Sequence, residues 1–250
     1  MDFNFYQIWN SIILFHHWLN KMNILPWQES RKENDFLSGD IQIWSASLEA
    51  EDSSRFIRFL SEEEKNRATR LKCSVASCQQ IISRGILRLL LSNYTGLNPK
   101  ELVFGKNPFG KPFLCNPVNS EICFNLTHSG NLLLFAIGKE KGVGIDVEKI
   151  EEKIDIKGIS TLVFSFDEQQ TLSRSMDPIQ DFYALWTAKE AILKASGRGF
   201  SYPINQFSVV MYNGTPKLSF IPEEITGGYS YSLSSFSPAN GYTAAIAIIQ

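Results

Sequence analysis

Residues 142–148 read GVGIDVE, Gly142-Val143-Gly144-Ile145-Asp146-Val147-Glu148. Val143, Ile145 and Val147 alternate with Gly144, Asp146 and Glu148, the period of a β-strand. The apolar set turns to a core, and Asp146 and Glu148 turn to the other face. At strand rise the two carboxylates stand about 7 Å apart, a spacing from which both reach one hard cation. The same alternation also suits an ordinary strand with an acidic outer face.

Outward from this strand, residues 178–196 carry a helix pattern between Asp177-Pro178, a start signal, and Gly197, a stop signal. Trp186, Glu190 and Lys194 recur every four residues and share a helix face. Read alone, Glu190 and Lys194 also suit a surface i,i+4 ion pair. Lys189, beside Glu190, is harder to explain as a core residue. Upstream, residues 124–130 read FNLTHSG, which sets Asn125, Thr127, His128 and Ser129 at a strand end before a glycine, the composition of an anion-binding turn. Residues 105–112 read GKNPFGKP, a tight basic hairpin loop.

The rest of the pattern sets the fold class. A strand begins at Asp40. Ser61 with Glu64 three residues on is a capping box, and it opens a helix with an acidic first turn and later basic residues Arg67, Arg70 and Lys72. A second helix over 75–94 has Ile82, Ile86, Leu89 and Leu90 on one face and Gly96 as its stop. Short strands follow at 102–104, 113–114, 122–126, 132–137 and 143–147. Helices near 167–174 and 178–196 then precede strands near 207–211, 217–220, 229–236 and 242–249. Helices before a strand meander, twice over, predict an α+β fold of two pseudo-symmetric lobes with helices packed on small, mainly antiparallel sheets. The expected division is an N-terminal extension (1–39) with Trp9, Trp18 and Trp27, an N-terminal lobe (40–141), and a C-terminal lobe (142–250) carrying the acidic strand.

Composition narrows the function. A hydrophobic fraction of 44% and a charged fraction of 20% are those of a globular chain. A formal net charge of −2 gives no sign of a nucleic-acid partner, while leaving room for a local basic pocket that takes phosphate. Cys73, Cys78, Cys115 and Cys123 form no CxxC pair and are expected as reduced thiols, which favours the cytoplasm. No apolar run reaches membrane-spanning length, and the short one at 12–15 lacks the basic flank of a signal peptide. There is no Gly-x4-Gly-Lys-Ser/Thr phosphate loop and no Ser-His-Asp or Cys-His arrangement.

Taken together, GKP at 110–112, FNLTHSG, GVGIDVE and WTAKEAILKASGRG at 186–199 resemble, in order and approximate spacing, the Sfp-type 4′-phosphopantetheinyl transferases. The resemblance runs from about Asp40 to the C-terminus. It implies transfer of the phosphopantetheine arm of coenzyme A to a serine of an acyl or peptidyl carrier protein, with release of adenosine 3′,5′-bisphosphate. It implies magnesium on Asp146, Glu148 and Glu190, with Glu190 the first candidate for the base and Glu168 the second. Lys189 and Lys194 would stabilise the pyrophosphate. Gly110, Lys111 and Pro112 would cradle the adenine ribose end. Thr127 and His128 would meet the 3′-phosphate with Arg67, Arg70 or Lys72, and Arg84 or Arg88 as further candidates. Gln80 falls where some relatives use a hydroxyl for that phosphate. A monomer is implied, since two lobes in one chain would replace the trimer interface of shorter relatives. The rival expectations are another metal-dependent phosphoryl transferase and a non-catalytic relative that binds coenzyme A or a carrier protein.

Overall fold

The computed structural model describes residues 25–26, 41–48, 52–70, 74–118 and 120–250. Apart from a two-residue strand, β1 (Leu25–Pro26), the expected extension lies outside them, as do Asp40, Lys72 and Cys73. The described residues pack as two compact units. The first holds Leu25–Pro26, Trp44–Glu101 and Asn131–Leu133; the second holds 41–43, Leu102–Gly130 and Leu134–Gln250. Packing thus joins residues 102–130 to the C-terminal half, whereas the sequence division set them in the N-terminal one.

In the first unit, β2 (Gln42–Ser47) pairs antiparallel with β1 and leads through two 3₁₀ turns into α1 (Glu62–Thr69). The capping box forms as expected: the Ser61 hydroxyl accepts the Glu64 amide, and Glu64 accepts the Ser61 amide. The second helix, α2 (Ser74–Thr95), buries Ile82, Ile86, Leu87, Leu90 and Leu91, and its Gly85 lies against Phe56. Arg88 is buried too, because its guanidinium donates to Glu64 at 2.6 Å and to the Pro99 carbonyl.

The second unit opens with the hairpin β3 (Phe104–Lys106) and β4 (Pro112–Leu114). Then come β5 (Cys123–Ser129), β6 (Leu132–Gly138) and β7 (Gly142–Lys149). Three helices follow: α3 (Ile156–Val163), α4 (Phe166–Ser173) and α5 (Pro178–Ser196). The chain ends with the hairpin β8 (Ser208–Tyr212) and β9 (Thr215–Phe220), the short α6 (Glu223–Thr226), and β10 (Tyr231–Phe236) and β11 (Tyr242–Ile249). Strands β10, β11 and β7 form an antiparallel sheet in that order. The fold class is α+β, with helices on small antiparallel sheets, as the sequence predicts.

Helix α5 is the axis of this unit. Asp177 caps its start through the Gln180 amide, Pro178 occupies its first turn, and Gly197 ends it in the left-handed region at φ 73°. It packs against β7 and β11, and twelve of its nineteen residues are buried, so it is enclosed on more than one side. Gly144 sets how closely helix and strand approach. A β-carbon there would collide with the carbonyl oxygen of Ala191 and the amide nitrogen of Ala195, and would sit 2.9 Å from the Lys194 carbonyl carbon. Among the described residues no helix is long and apolar enough to cross a membrane. Cys78, Cys115 and Cys123 are free thiols.

Candidate active site

Strands β5 and β7 run alongside each other in the same direction, as their side-chain contacts show. Asn125 accepts the amide of Ile145 at 2.9 Å, Thr127 donates to Asp146 at 3.1 Å, and Ser129 donates to Glu148 at 2.7 Å. The offset is near constant and the spacing is two residues, so the polar face of FNLTHSG meets the acidic strand. Ser129 also accepts the Lys149 amide at 3.0 Å, which fixes its hydroxyl between the backbone and Glu148. His128, between Thr127 and Ser129, alternates to the opposite face and is exposed.

Asp146 is 4% exposed. Its Oδ1 accepts the Lys194 ammonium at 2.5 Å as well as the Thr127 hydroxyl, while its buried Oδ2 has no hydrogen-bond partner. Lys194 also donates to Thr127 at 3.2 Å and to the Ile145 carbonyl at 3.3 Å, and its side chain remains 27% exposed. Glu190 lies one turn earlier on α5, is 7% exposed, and has a buried Oε1 without a partner. Burial raises the proton affinity of both carboxyls. Lys194 opposes the rise at Asp146, and the neighbouring Glu148 adds to it. Glu190 is pushed up to about 7, by burial first and then by the charge of Asp146.

Of the expected cluster, Asp146, Thr127 and Lys194 are joined by hydrogen bonds, Glu148 is held separately by Ser129, and Glu190 couples electrostatically to Asp146, Lys194 and Glu148. Among the described residues no group of three or more acidic, histidine or cysteine side chains is arranged to hold a metal ion as it stands. Lys194 occupies one oxygen of Asp146, and Ser129 one of Glu148. The donor set nevertheless fits a hard cation. Two buried carboxylates each keep an unpartnered oxygen, and burial first, then neighbouring carboxylates, raises their proton affinity.

Lys189 lies apart from this cluster. It is fully buried, and its ammonium donates to Glu168 Oε2 at 2.6 Å and to the Phe207 carbonyl at 2.6 Å, 4.6 Å from the centre of the Phe207 ring. Glu168, 2% exposed, also accepts the amides of Ser165 and Val209. A helix advances 100° per residue, so Lys189 leaves α5 on another side from Glu190 and joins α5 to the cap of α4 and to β8. Glu168 is thereby committed to the same network and has no free oxygen with which to act as a base. The missed signal is a lysine set among Leu185, Ala188, Ile192 and Leu193, which announces a buried partner.

In the basic hairpin, Lys111 and Pro112 line a cleft of about 360 Å³ together with Asn107, Phe113, Phe124 and Ser196. Gly110 is exposed, at φ 90°. The Lys111 ammonium donates to the carbonyls of Val143 and Ala195, and burial lowers its pKa to about 8. In the first unit, Arg67 pairs with Glu63 on its own helix at 2.9 Å, Arg70 is an exposed C-cap, and Arg88 is held by Glu64.

Two family models match the chain: "4′-phosphopantetheinyl transferase superfamily" over residues 142–247 and "4′-phosphopantetheinyl transferase, N-terminal" over 42–140. A 4′-phosphopantetheinyl transferase of Bacillus subtilis is 32% identical over 165 residues, covering 65% of this chain and 71% of its own. This chain belongs to the 4′-phosphopantetheinyl transferase family. The transferase HetI of Nostoc sp. is 29% identical over 94% of this chain and 95% of its own, and Sfp of Bacillus subtilis 26% over 80% and 86%. The enzyme is accordingly a transferase that moves the phosphopantetheine arm of coenzyme A to a carrier protein. GVGIDVE and residues 186–199 both fall within the superfamily match.

Proposed function

We propose that the transfer takes place at Asp146, Glu148, Glu190 and Lys194, and that the acceptor is a serine hydroxyl of an apo acyl or peptidyl carrier protein. The observation that carries this reading is the pair of buried, unpartnered oxygens, Asp146 Oδ2 and Glu190 Oε1, beside the partly exposed ammonium of Lys194. Burying carboxylates without partners is costly, and an active centre is where such a cost is repaid.

Asp146, Glu148 and Glu190 would hold magnesium, which when bound supplies positive charge to balance these carboxylates and the pyrophosphate of coenzyme A. Glu190 takes the proton of the carrier serine as general base. The serine oxygen bonds to the β-phosphorus, the pyrophosphate P–O bond breaks, and adenosine 3′,5′-bisphosphate leaves with the electron pair. Lys194 steadies the negative charge that gathers on the leaving phosphate. Ser129 and Thr127 orient Glu148 and Asp146 through their hydroxyls. The cleft beside Gly110, Lys111 and Pro112 receives the adenine end, and the exposed His128 faces the 3′-phosphate. Of the two lysines expected on the pyrophosphate, we assign the role to Lys194.

We further propose a cytoplasmic monomer of two sequence segments, 40–141 and 142–250, the first of which gives residues 102–130 to the second packing unit. The near coincidence of these bounds with the two family matches supports the division. A net charge of −2 and free thiols agree with a protein partner rather than nucleic acid and with a reducing compartment.

The test is the intact mass of an apo carrier protein incubated with coenzyme A, magnesium and either wild type or Asp146→Asn. Wild type is expected to add one phosphopantetheine, and the folded variant none. Equal gain with both would remove Asp146 from the reacting centre.

A further inference from the structure

The lysine of the basic hairpin does not extend into solvent. Lys111 Nζ donates at 3.0 Å to the carbonyl of Val143 and at 3.0 Å to the carbonyl of Ala195. Asn107, four residues earlier, donates through Nδ2 to the carbonyl of Gly197 at 2.8 Å, and its Oδ1 accepts the amides of Phe109 and Lys111. The grip leaves no spare room: a β-carbon on Gly197 would stand 2.7 Å from Asn107 Nδ2 and 3.2 Å from Lys111 Cδ.

Ala195 and Gly197 lie at the C-terminal end of α5, where helix carbonyls lack partners within the helix and the helix dipole is negative. Val143 lies at the start of β7. One ammonium therefore ties the end of the helix to the beginning of the strand. Further along these same two elements stand the reacting groups. Lys194 precedes Ala195 and reaches Asp146, three residues beyond Val143. Between these points Gly144 lets strand backbone touch helix backbone, so a slide of either element is felt at once.

We propose that Lys111 is a positioning residue for the transfer reaction: by tying α5 to β7 it sets where Lys194 and Glu190 stand against Asp146. Its ammonium does not bind coenzyme A. The inference rests on the assignment of Asp146, Glu190 and Lys194 to the reacting centre.

The test uses Lys111→Met, which keeps the stem and removes the ammonium, Lys111→Arg, which restores a donor, and Asn107→Ala, which breaks the adjoining contact. Turnover is measured on an apo carrier protein while coenzyme A is varied, and each variant is melted. A misplacement of about 1 Å costs up to about 100-fold in rate. Lys111→Met is therefore expected to lose about 10- to 100-fold in kcat, with KM for coenzyme A changed less than about threefold. Lys111→Arg recovers most of kcat, and Asn107→Ala falls in the same sense as Lys111→Met. A raised KM with unchanged kcat makes Lys111 a ligand contact and overturns the proposal. A lowered melting temperature with both constants unchanged makes it merely structural and also overturns it. If Lys111→Met does not fold, Asn107→Ala decides on the same split. Asp146→Asn is run alongside: full turnover by that variant overturns the reading of the reacting centre itself, whatever the Lys111 variants do.

Discussion

Replacing Lys189 by methionine separates a lysine that holds the fold from one that touches substrate. The side chains of Lys189 and Glu168 are 0% and 2% exposed and meet at 2.6 Å. Methionine fills most of the stem but leaves the Glu168 charge buried and the Phe207 carbonyl without its ammonium donor. Removing one partner of a buried pair costs about 3–5 kcal/mol. Glu168 keeps the amides of Ser165 and Val209, which places the loss at the lower end, about 3–4 kcal/mol. For a chain of this length each kcal/mol moves the melting temperature by about 2–4 °C, so the midpoint falls by about 6–16 °C. The assay is thermal and urea unfolding, with turnover measured well below the midpoint. Lys189→Met with Glu168→Gln removes the stranded charge and recovers part of the loss, a coupling of about 1–3 kcal/mol in a double-mutant cycle. An unmoved midpoint with abolished turnover would refute the argument and return Lys189 to the pyrophosphate.

Glu190 gives a pH dependence of definite sign. Its pKa rises from 4.5 to about 7 on folding, so between those values the folded chain binds more protons than the unfolded one and loses stability as pH rises. Each tenfold change in proton affinity is worth about 1.36 kcal/mol, so the loss over this window is on the order of 3 kcal/mol. Glu190→Gln removes it: urea unfolding in chelator at pH 5 and pH 8 is expected to show a smaller decline than wild type, and transfer is lost. Equal declines would refute the buried-carboxyl reading. Gly144→Ala forces a β-carbon into helix backbone, and overpacking of this kind costs about 1–3 kcal/mol or more. A lower melting temperature and reduced transfer are expected, and a variant with the wild-type midpoint would show that strand and helix do not touch there.

The elements legible in the sequence are those whose ends carry their own chemistry. Asp177-Pro178 and Gly197 bound α5, and Ser61 with Glu64 opens α1, because cap and stop depend on neighbours in the chain alone. Helix α3 escaped detection for the converse reason. Ile154 and Ile156 alternate as in a strand, and Gly158 weakens the helical pattern, yet Asp155 caps the helix through the Gly158 amide, and Ile156, Ile159 and Val163 pack on the core. Tertiary burial decides there between two periods that short sequence leaves open.

The direction of a long side chain is a different kind of unknown. Lys111, Lys189 and Lys194 look alike in the sequence, each a cation in a motif that resembles a phosphate site. Their three fates follow from what each meets. Lys194 reaches a carboxylate that is already half satisfied by Thr127 and stays in contact with solvent. Lys189 enters an apolar wall that holds one buried carboxylate. Lys111 finds the free carbonyls at the end of a helix. Carbonyls and carboxylates satisfy an ammonium as well as phosphate does, and in a packed interior they are already in place before any ligand arrives. A basic residue in a motif therefore identifies a phosphate contact only when its side chain keeps a solvent-facing surface after its buried acceptors are met. By that criterion Lys194, its side chain still 27% exposed beside Asp146, is the one of the three we propose for the pyrophosphate of coenzyme A.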